Sequence, residues 1–306
     1  MKVFIDGSSG TTGLRIRERL SDRKDINLNI LPDEIRRNTE ARREALNNSD
    51  IAILCLPDKE AIEAVNLIDA DNKHTKIIDT STAHRVLKNW VYGFPEVNNL
   101  REKILNSNRI ANPGCHATGF ISLVAPLVHE KILNRDVLLS CFSLTGYSGG
   151  GKKMIAQYES PERDLNLNSP GLYGLNQNHK HLPEMKKICD LENEPVFCPI
   201  VADYYSGMLV MIPVYDLNLK DLSDVYKNYY PENSGLVKFG GYVEDLKFIY
   251  SGSYSGRDDL EILLTGNESR AVLISRFDNL GKGASGAAVQ NLNLLIGADE
   301  FEGLIF

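Results

Sequence analysis

The opening residues constrain the fold more than any other stretch. Lys2-Val3-Phe4-Ile5-Asp6 is a short apolar run that breaks at Gly7-Ser8-Ser9-Gly10-Thr11-Thr12-Gly13, after which Leu14, Ile16 and Leu20 fall at helical spacing. A strand that turns through glycines into a helix aims backbone N–H groups and the positive end of the helix at one point, which favours a pyrophosphate. The spacing is GxxGxxG, not GxGxxG, so a tight βα turn holding no ligand remains the competing reading. The same rhythm continues. Residues 26–31 read as a second strand, 39–46 as a helix, 51–56 as a strand apolar throughout, 58–68 as a helix and 77–79 as a further strand. Continuously apolar strands suit a parallel sheet covered on both faces. The first part therefore reads as a Rossmann-type α/β nucleotide-binding domain.

Past the second strand, Asp33 and Glu34 precede Arg36 and Arg37. A carboxylate there suits the ribose hydroxyls of NAD and an arginine suits the extra phosphate of NADP; the adjacent arginines favour NADP, against a plain solvent-facing helix start. Ser9, Thr11 and Thr12 either contact the pyrophosphate or cap the turn. Ser81-Thr82-Ala83-His84-Arg85 follows a strand end, the edge where such sheets bind ligands; His84 and Arg85 line an anionic pocket there or sit on an exposed loop. In Tyr92-Gly93-Phe94-Pro95-Glu96, Phe94 is expected to pack, with Glu96 an orienting group or a cap.

Asn112-Pro113-Gly114-Cys115 opens a second pattern. Ile121, Val124, Ala125, Val128 and Ile132 give one helix face, so Cys115 falls at or just before the first turn. Unpaired N–H groups and the helix dipole favour thiolate there, and thiolate is the nucleophile. The plain alternative is a buried cysteine in a strand-to-helix turn. His179-Lys180-His181-Leu182-Pro183-Glu184 is the natural place to seek an acid/base partner, against an exposed loop; two histidines with Glu184 do not make a closed zinc set. Residues 137–143 read as a strand leading to glycines 146 and 149–151, a loop able to wrap an anionic substrate with Lys152 or Lys153 as counter-charge. Strands at 197–201, 207–214, 248–250, 260–264 and 271–277, with helices or excursions at 221–230 and 240–247, suggest a mixed or antiparallel sheet. Residues 278–297 begin as a small-residue turn and become a helix, which either returns to the nucleotide domain or caps the core.

The chain of 306 residues has room for two cores, and a net charge of -7 gives no support to nucleic-acid binding. Its five cysteines are odd in number and scattered, which suits reduced thiols in the cytoplasm. The amino terminus lacks a long apolar signal, and no stretch of about 18 residues is apolar enough to span a bilayer.

Taken together, the motifs at 6–14, 81–85, 92–96, 112–115, 146–152, 179–184 and 281–287 cover nearly the whole chain, and it resembles the shorter form of the N-acetyl-gamma-glutamyl-phosphate reductases. That family is similar to aspartate-semialdehyde and glyceraldehyde-3-phosphate dehydrogenases in fold and thiol chemistry. The resemblance implies a Rossmann-type domain over 1–113 and 284–306, and an α+β substrate and dimerisation domain over 114–283. It implies NADPH-dependent reduction of N-acetyl-L-glutamyl 5-phosphate in arginine biosynthesis, by a homodimer or homotetramer. Cys115 matches the family nucleophile, with His181 favoured as acid/base and His179 as substrate binder or alternative base. The expected substrate contacts are Arg85, Arg109, Asn112, Lys152 and Glu184. The expected cofactor contacts are Gly7, Ser9, Gly10, Thr11, Thr12, Gly13, Arg36, Arg37, Ser81, Gly283 and Asn291, with no metal. An aspartate-semialdehyde dehydrogenase-like enzyme and a non-catalytic nucleotide sensor are the alternatives.

Overall fold

The structure, a computed structural model, describes residues 1–232, 234–244, 246–267 and 269–306. In the first part, β1 (Lys2–Asp6), α1 (Thr11–Leu20), β2 (Asn27–Asn29), α2 (Thr39–Asn47), β3 (Ile51–Leu54), α3 (Asp58–Asn66), β4 (Lys76–Asp79), β5 (Val91–Tyr92), α4 (Leu100–Leu105) and β6 (Arg109–Ala111) follow in order. The strands form one sheet, β2-β1-β3-β4-β6-β5, with every pair parallel. The unbroken apolar runs Val3-Phe4-Ile5 in β1 and Ile51-Ala52-Ile53-Leu54 in β3 are explained by alternation. Val3, Ile5, Ile51 and Ile53 enter the core on one face. Phe4, Ala52 and Leu54 enter the core on the other.

The second part begins with α5 (Cys115–His129) and continues through β7 (Ser140–Gly146), α6 (Gly151–Glu159), β8 (Gly171–Leu172), α7 (Leu182–Ile188), β9 (Val196–Ala202), β10 (Met208–Tyr215), α8 (Leu219–Tyr229), β11 (Val237–Tyr242), β12 (Leu260–Asn267) and β13 (Arg270–Phe277). Its sheet, β11-β12-β13-β10-β7-β9-β8, is mixed: β11 with β12 and β7 with β9 are parallel, the other pairs antiparallel. A π-helical turn, Gly281–Ser285, leads into α9 (Gly286–Ile296). There Ala288, Val289, Leu292 and Leu295 join the core of the first sheet. The chain divides into a unit of Met1–Phe94, Leu100–Gly114 and Ala284–Leu304, and a unit of Pro95–Asn99, Cys115–Gly283 and Ile305–Phe306. The short excursion Pro95–Asn99 thus groups with the second unit, not the first as expected.

Three local expectations are corrected. The stretch 248–250 is not a strand, and Phe248 and Tyr250 are exposed. Glycines 146–150 do not make an open loop: a 3-10 turn at Tyr147–Gly150 runs straight into α6, and Gly146 passes so close to the Tyr204 and Tyr205 carbonyls that a Cβ would lie 2.7 and 2.5 Å from them. The run 240–247 begins inside β11 instead of opening a helix; residue 245 lies outside the described residues.

α5 is buried continuously from His116 to Leu127, yet it contains Pro126. Proline has no N–H, so the Ser122 carbonyl one turn earlier loses its helical donor. α8 supplies the replacement from outside. The Tyr230 hydroxyl, just past the end of α8, donates to the Ser122 carbonyl at 3.0 Å, and Tyr226 donates to that of Leu123 at 2.7 Å. The strongly amphipathic α8 is therefore fastened to α5 by two phenols. Tyr230→Phe should lower the unfolding free energy by about 1–2 kcal/mol by orphaning a buried carbonyl. Denaturant titration reads this directly, and an unchanged midpoint and slope would refute it.

Candidate active site

Cys115 is the first residue of α5, where the helix's first N–H groups have no intrahelical acceptor, so a negative sulfur is favoured there. Burial pushes the thiols of Cys141 and Cys189 up, which keeps those two inert. Gly283, in the π-helical turn, packs on Cys115: a Cβ at that position would lie 2.9 Å from the Cβ of Cys115 and 3.2 Å from the Asp278 carbonyl. Next to it, the fully buried Lys282 donates to both carboxylate oxygens of Glu96 at 2.8 and 2.9 Å, and Glu96 also accepts from the Leu236 N–H at 2.9 Å. Glu96 thus anchors the turn that abuts Cys115.

Three imidazoles gather in this unit. His179 and His181 have ring centroids 4.7 Å apart, and His116 lies 5.6 and 5.5 Å from them. Phe197 packs edgewise against His116 and His179. Nδ1 of His179 accepts the His181 backbone N–H at 3.2 Å, so in its neutral form His179 carries its proton on Nε2. His181 stands at the position just before α7, is almost fully buried, and has Nε2 3.9 Å from Oε1 of the buried Glu184. Nδ1 of His116 lies 2.7 Å from the Ser143 hydroxyl, and its Nε2 lies 2.6 Å from the Tyr173 hydroxyl. Burial, then the nearby His179, lowers its pKa to about 3, so it is neutral at any working pH. The sequence singled out His179 and His181 but not His116, Ser143 or Tyr173. The available signal was a histidine one residue past the nucleophile in an otherwise apolar helix.

In the first unit, a cleft of about 540 Å³ is lined by Gly7, Ser9, Gly10, Arg36, Arg37, Arg42, Cys55, Glu60 and neighbours. Gly13 is a packing glycine: a Cβ there would lie 2.4 Å from the Gly7 carbonyl, so α1 could not sit so close to the turn. Arg36 reaches across to donate to Ser9 at 2.7 Å and pairs with Asp33 at 2.9 Å. Arg42, absent from the expected set, holds Asp6 at 2.9 Å at the end of β1; burial raises that carboxyl's pKa against the pull of the arginine. Among the described residues Thr11 Oγ1 is buried with no hydrogen-bond partner, and Thr12 follows it in the first turn of α1. Asn291 donates to Gly93 O at 2.9 Å and to Asn112 Oδ1 at 3.3 Å, while among the described residues its own buried Oδ1 has no hydrogen-bond partner. A cleft that opens on the glycine turn and carries Arg36 and Arg37 fits the phosphates of a dinucleotide.

Several expected contacts are occupied elsewhere. Arg109 is corrected: it stands at the amino end of β6, opposite the ligand edge, and donates to the Thr75 and Asn108 carbonyls. Arg85 is nearly buried and holds the carbonyls of Asn112 and Thr80, which shapes the loop. Asn112 ties β6 to the Ala284 carbonyl at the entrance to α9. Ser81 donates to Asp79, which also engages His84 Nδ1 at 2.6 Å, with the His84 ring stacked on Trp90. Lys152 is exposed at the start of α6. Gly283 belongs to the wall beside Cys115, not to the glycine turn of the first unit.

Comparison with known proteins agrees with both halves. The family model for the semialdehyde dehydrogenase dimerisation domain matches residues 115–279, and that for the semialdehyde dehydrogenase NAD binding domain matches 32–107. Solved aspartate semialdehyde dehydrogenases share the fold at low identity. That of Francisella tularensis superposes with a TM-score of 0.73 at 15% identity, over 97% of this chain and all of that one. That of Vibrio cholerae complexed with ASA gives 0.71 at 15% identity, over 97% and 98%. Fold and site therefore define a semialdehyde dehydrogenase-type oxidoreductase. Sequence relatives narrow this: an N-acetyl-gamma-glutamyl-phosphate reductase 2 from Nostoc is 41% identical over 99% of both chains, and one from Sinorhizobium medicae is 42% identical over 97% of this chain and 99% of that one. The chain belongs to the N-acetyl-gamma-glutamyl-phosphate reductase family.

Because a side chain at Gly283 would meet the Cβ of Cys115, Gly283→Ala should displace the sulfur and lower kcat about tenfold or more. NADPH affinity should stay within about twofold, since the residue lies outside the cleft of the first unit. Steady-state kinetics with a cofactor titration checks both, and wild-type kcat would refute the packing role.

Proposed function

We propose that this chain reduces N-acetyl-L-glutamyl 5-phosphate with NADPH, giving N-acetyl-L-glutamate 5-semialdehyde and phosphate in arginine biosynthesis. The observation that carries the reading is Cys115 at the first turn of a buried helix, in the unit that also holds the His179 and His181 pair. The sulfur attacks the acyl carbon, the carbon–oxygen bond to phosphate breaks, and a thioester to Cys115 remains. The N–H groups opening α5 are the donors nearest the developing oxyanion. When bound, NADPH supplies the hydride that brings the thioester to the aldehyde level. His181, buried and backed by Glu184, is the proton donor and acceptor for these steps. His179, its Nδ1 already accepting a backbone N–H, presents Nε2–H to the substrate.

For the cofactor, Gly7, Ser9, Gly10 and Thr11 hold the pyrophosphate, Arg36 and Arg37 take the ribose phosphate, and the open Oδ1 of Asn291 accepts from the nicotinamide amide. Gly13 and Thr12 shape this turn. Among the substrate contacts, Glu184 and Lys152 remain in this reading, whereas Arg85 and Asn112, together with Ser81 of the cofactor set, serve as the frame. Among the described residues no helix is long and apolar enough to cross a membrane. A cytoplasmic homodimer or homotetramer is part of the proposal.

Purified protein should oxidise NADPH with N-acetyl-L-glutamyl 5-phosphate and at least about a hundredfold more slowly with L-aspartyl phosphate. Cys115→Ala should lose turnover by about three orders of magnitude or more while still binding NADPH. Preference for aspartyl phosphate would overturn the substrate, and residual wild-type turnover would overturn the nucleophile.

A further inference from the structure

The cleft of the first unit suits anions, yet one of its walls is a carboxylate. Asp6 ends β1 immediately before the glycine turn, and its side chain, only 5% exposed, lines the same cleft as Gly7, Ser9, Gly10, Arg36 and Arg37. Arg42 of α2 answers it: Nε and Nη2 both donate to Oδ2 of Asp6, at 3.0 and 2.9 Å. The same Nη2 reaches the Glu60 carbonyl on α3 at 3.5 Å, so one guanidinium spans two helices and a strand end. Among the described residues no hydrogen bond reaches Oδ1 of Asp6, and only Arg42 forms an ion pair with that carboxylate. Left without its partner, the carboxylate would confront the phosphates that the glycine turn is shaped to receive.

We propose that Arg42 is a positioning residue for the cofactor: it cancels the charge of Asp6 and so lets the pyrophosphate of NADPH settle on the glycine turn. The proposal rests on the NADPH reading given above. Like charges in a nearly buried wall are poorly screened, so one unpaired carboxylate there weakens the binding of an anion substantially. The charged and titratable groups around Asp6 are Arg42 from α2, Cys55 after β3, Glu60 and Glu63 from α3, and Arg36 and Arg37 across the cleft. Cys55 stays neutral, because burial pushes its thiol up to about 12. For Asp6 itself, burial raises the carboxyl's pKa and Arg42 pulls it down. Without the guanidinium the carboxyl titrates higher, and a bound pyrophosphate raises it again. Cofactor binding to such a variant therefore takes up a proton and strengthens as pH falls.

The test titrates NADPH into the full chain by fluorescence between pH 8 and pH 5.5, with thermal melting beside it. Each variant is expressed relative to wild type at the same pH, so that protonation of the cofactor's own phosphate cancels. Arg42→Gln should weaken binding about tenfold or more at pH 8, and the deficit should shrink steadily toward pH 5.5. Arg42→Lys, which keeps the charge, should stay within about threefold of wild type. The double variant Asp6→Asn with Arg42→Gln should return to within about threefold at every pH, because the charge to be cancelled is gone. An Arg42→Gln deficit that is equal at all pH values and persists in the double variant would overturn the proposal, since Arg42 would then act by direct contact or by shape alone. Wild-type affinity in Arg42→Gln would overturn it as well. Should Arg42→Gln lose its cooperative melt, Asp6→Asn alone decides: tighter binding supports the proposal and weaker binding overturns it. Failure of the NADPH reading shows separately, as a wild-type protein that does not bind NADPH.

Discussion

Everything in the second unit depends on holding α5 still, because the first turn of that helix sets where the sulfur is and what it feels. The helix has almost no polar surface with which to anchor itself, and a proline interrupts its hydrogen-bond ladder. Burial supplies the bulk of its stability. The direction and rotation of the helix come instead from a few directed contacts: the phenols of Tyr226 and Tyr230 on its carbonyls, and the close approach of Val210, Ser275 and Phe277 to Gly119. A side chain at Gly119 would meet Val210 at 2.4 Å, so β10 could not pack where it does. The sheet and the reactive residue are thus positioned by the same packing.

Charge is handled differently on the two sides of Cys115. On one side the buried Lys282 and Glu96 neutralise each other and anchor the turn against which the cysteine rests. Removing either partner would leave a buried charge uncompensated, a larger penalty than the pair's own net contribution. His116, the next residue along α5, sits among imidazoles and hydroxyls and is kept uncharged by its surroundings. A cation packed there would favour thiolate more strongly, but a thiolate stabilised too far is a poorer nucleophile. The free N–H groups that open α5 favour a negative sulfur without that cost.

Much of the architecture could be read from the residues, since parallel strands buried on both faces leave a continuous apolar signature and a glycine turn leaves a local one. The sequence was least informative where a residue's role depends on which end of a strand it occupies. Arg85 and Arg109 are both arginines near the first sheet, but one shapes the ligand edge by holding carbonyls and the other lies at the opposite end. Serine and asparagine were ambiguous for a similar reason. Ser81 holds Asp79 within its own loop and Asn112 reaches across to the Ala284 carbonyl, while Ser143, a buried strand residue with nothing to mark it, lies at hydrogen-bond distance from Nδ1 of His116. The pairs Lys282 with Glu96 and His116 with Tyr173 join positions 186 and 57 residues apart, a separation that no local pattern encodes. The return of α9 to the first sheet was foreseen as one of two possibilities, and Ala288, Val289, Leu292 and Leu295 in that core settle it.

The central claim is that one sulfur becomes acylated. Mixing the protein with N-acetyl-L-glutamyl 5-phosphate in the absence of NADPH, quenching in acid and mapping peptides by mass tests it most directly. The account predicts an N-acetylglutamyl group on the Cys115 peptide, formed with release of one phosphate per chain and removed by hydroxylamine. Phosphate release with no acyl group on that peptide, or an acyl group on another residue, would contradict it.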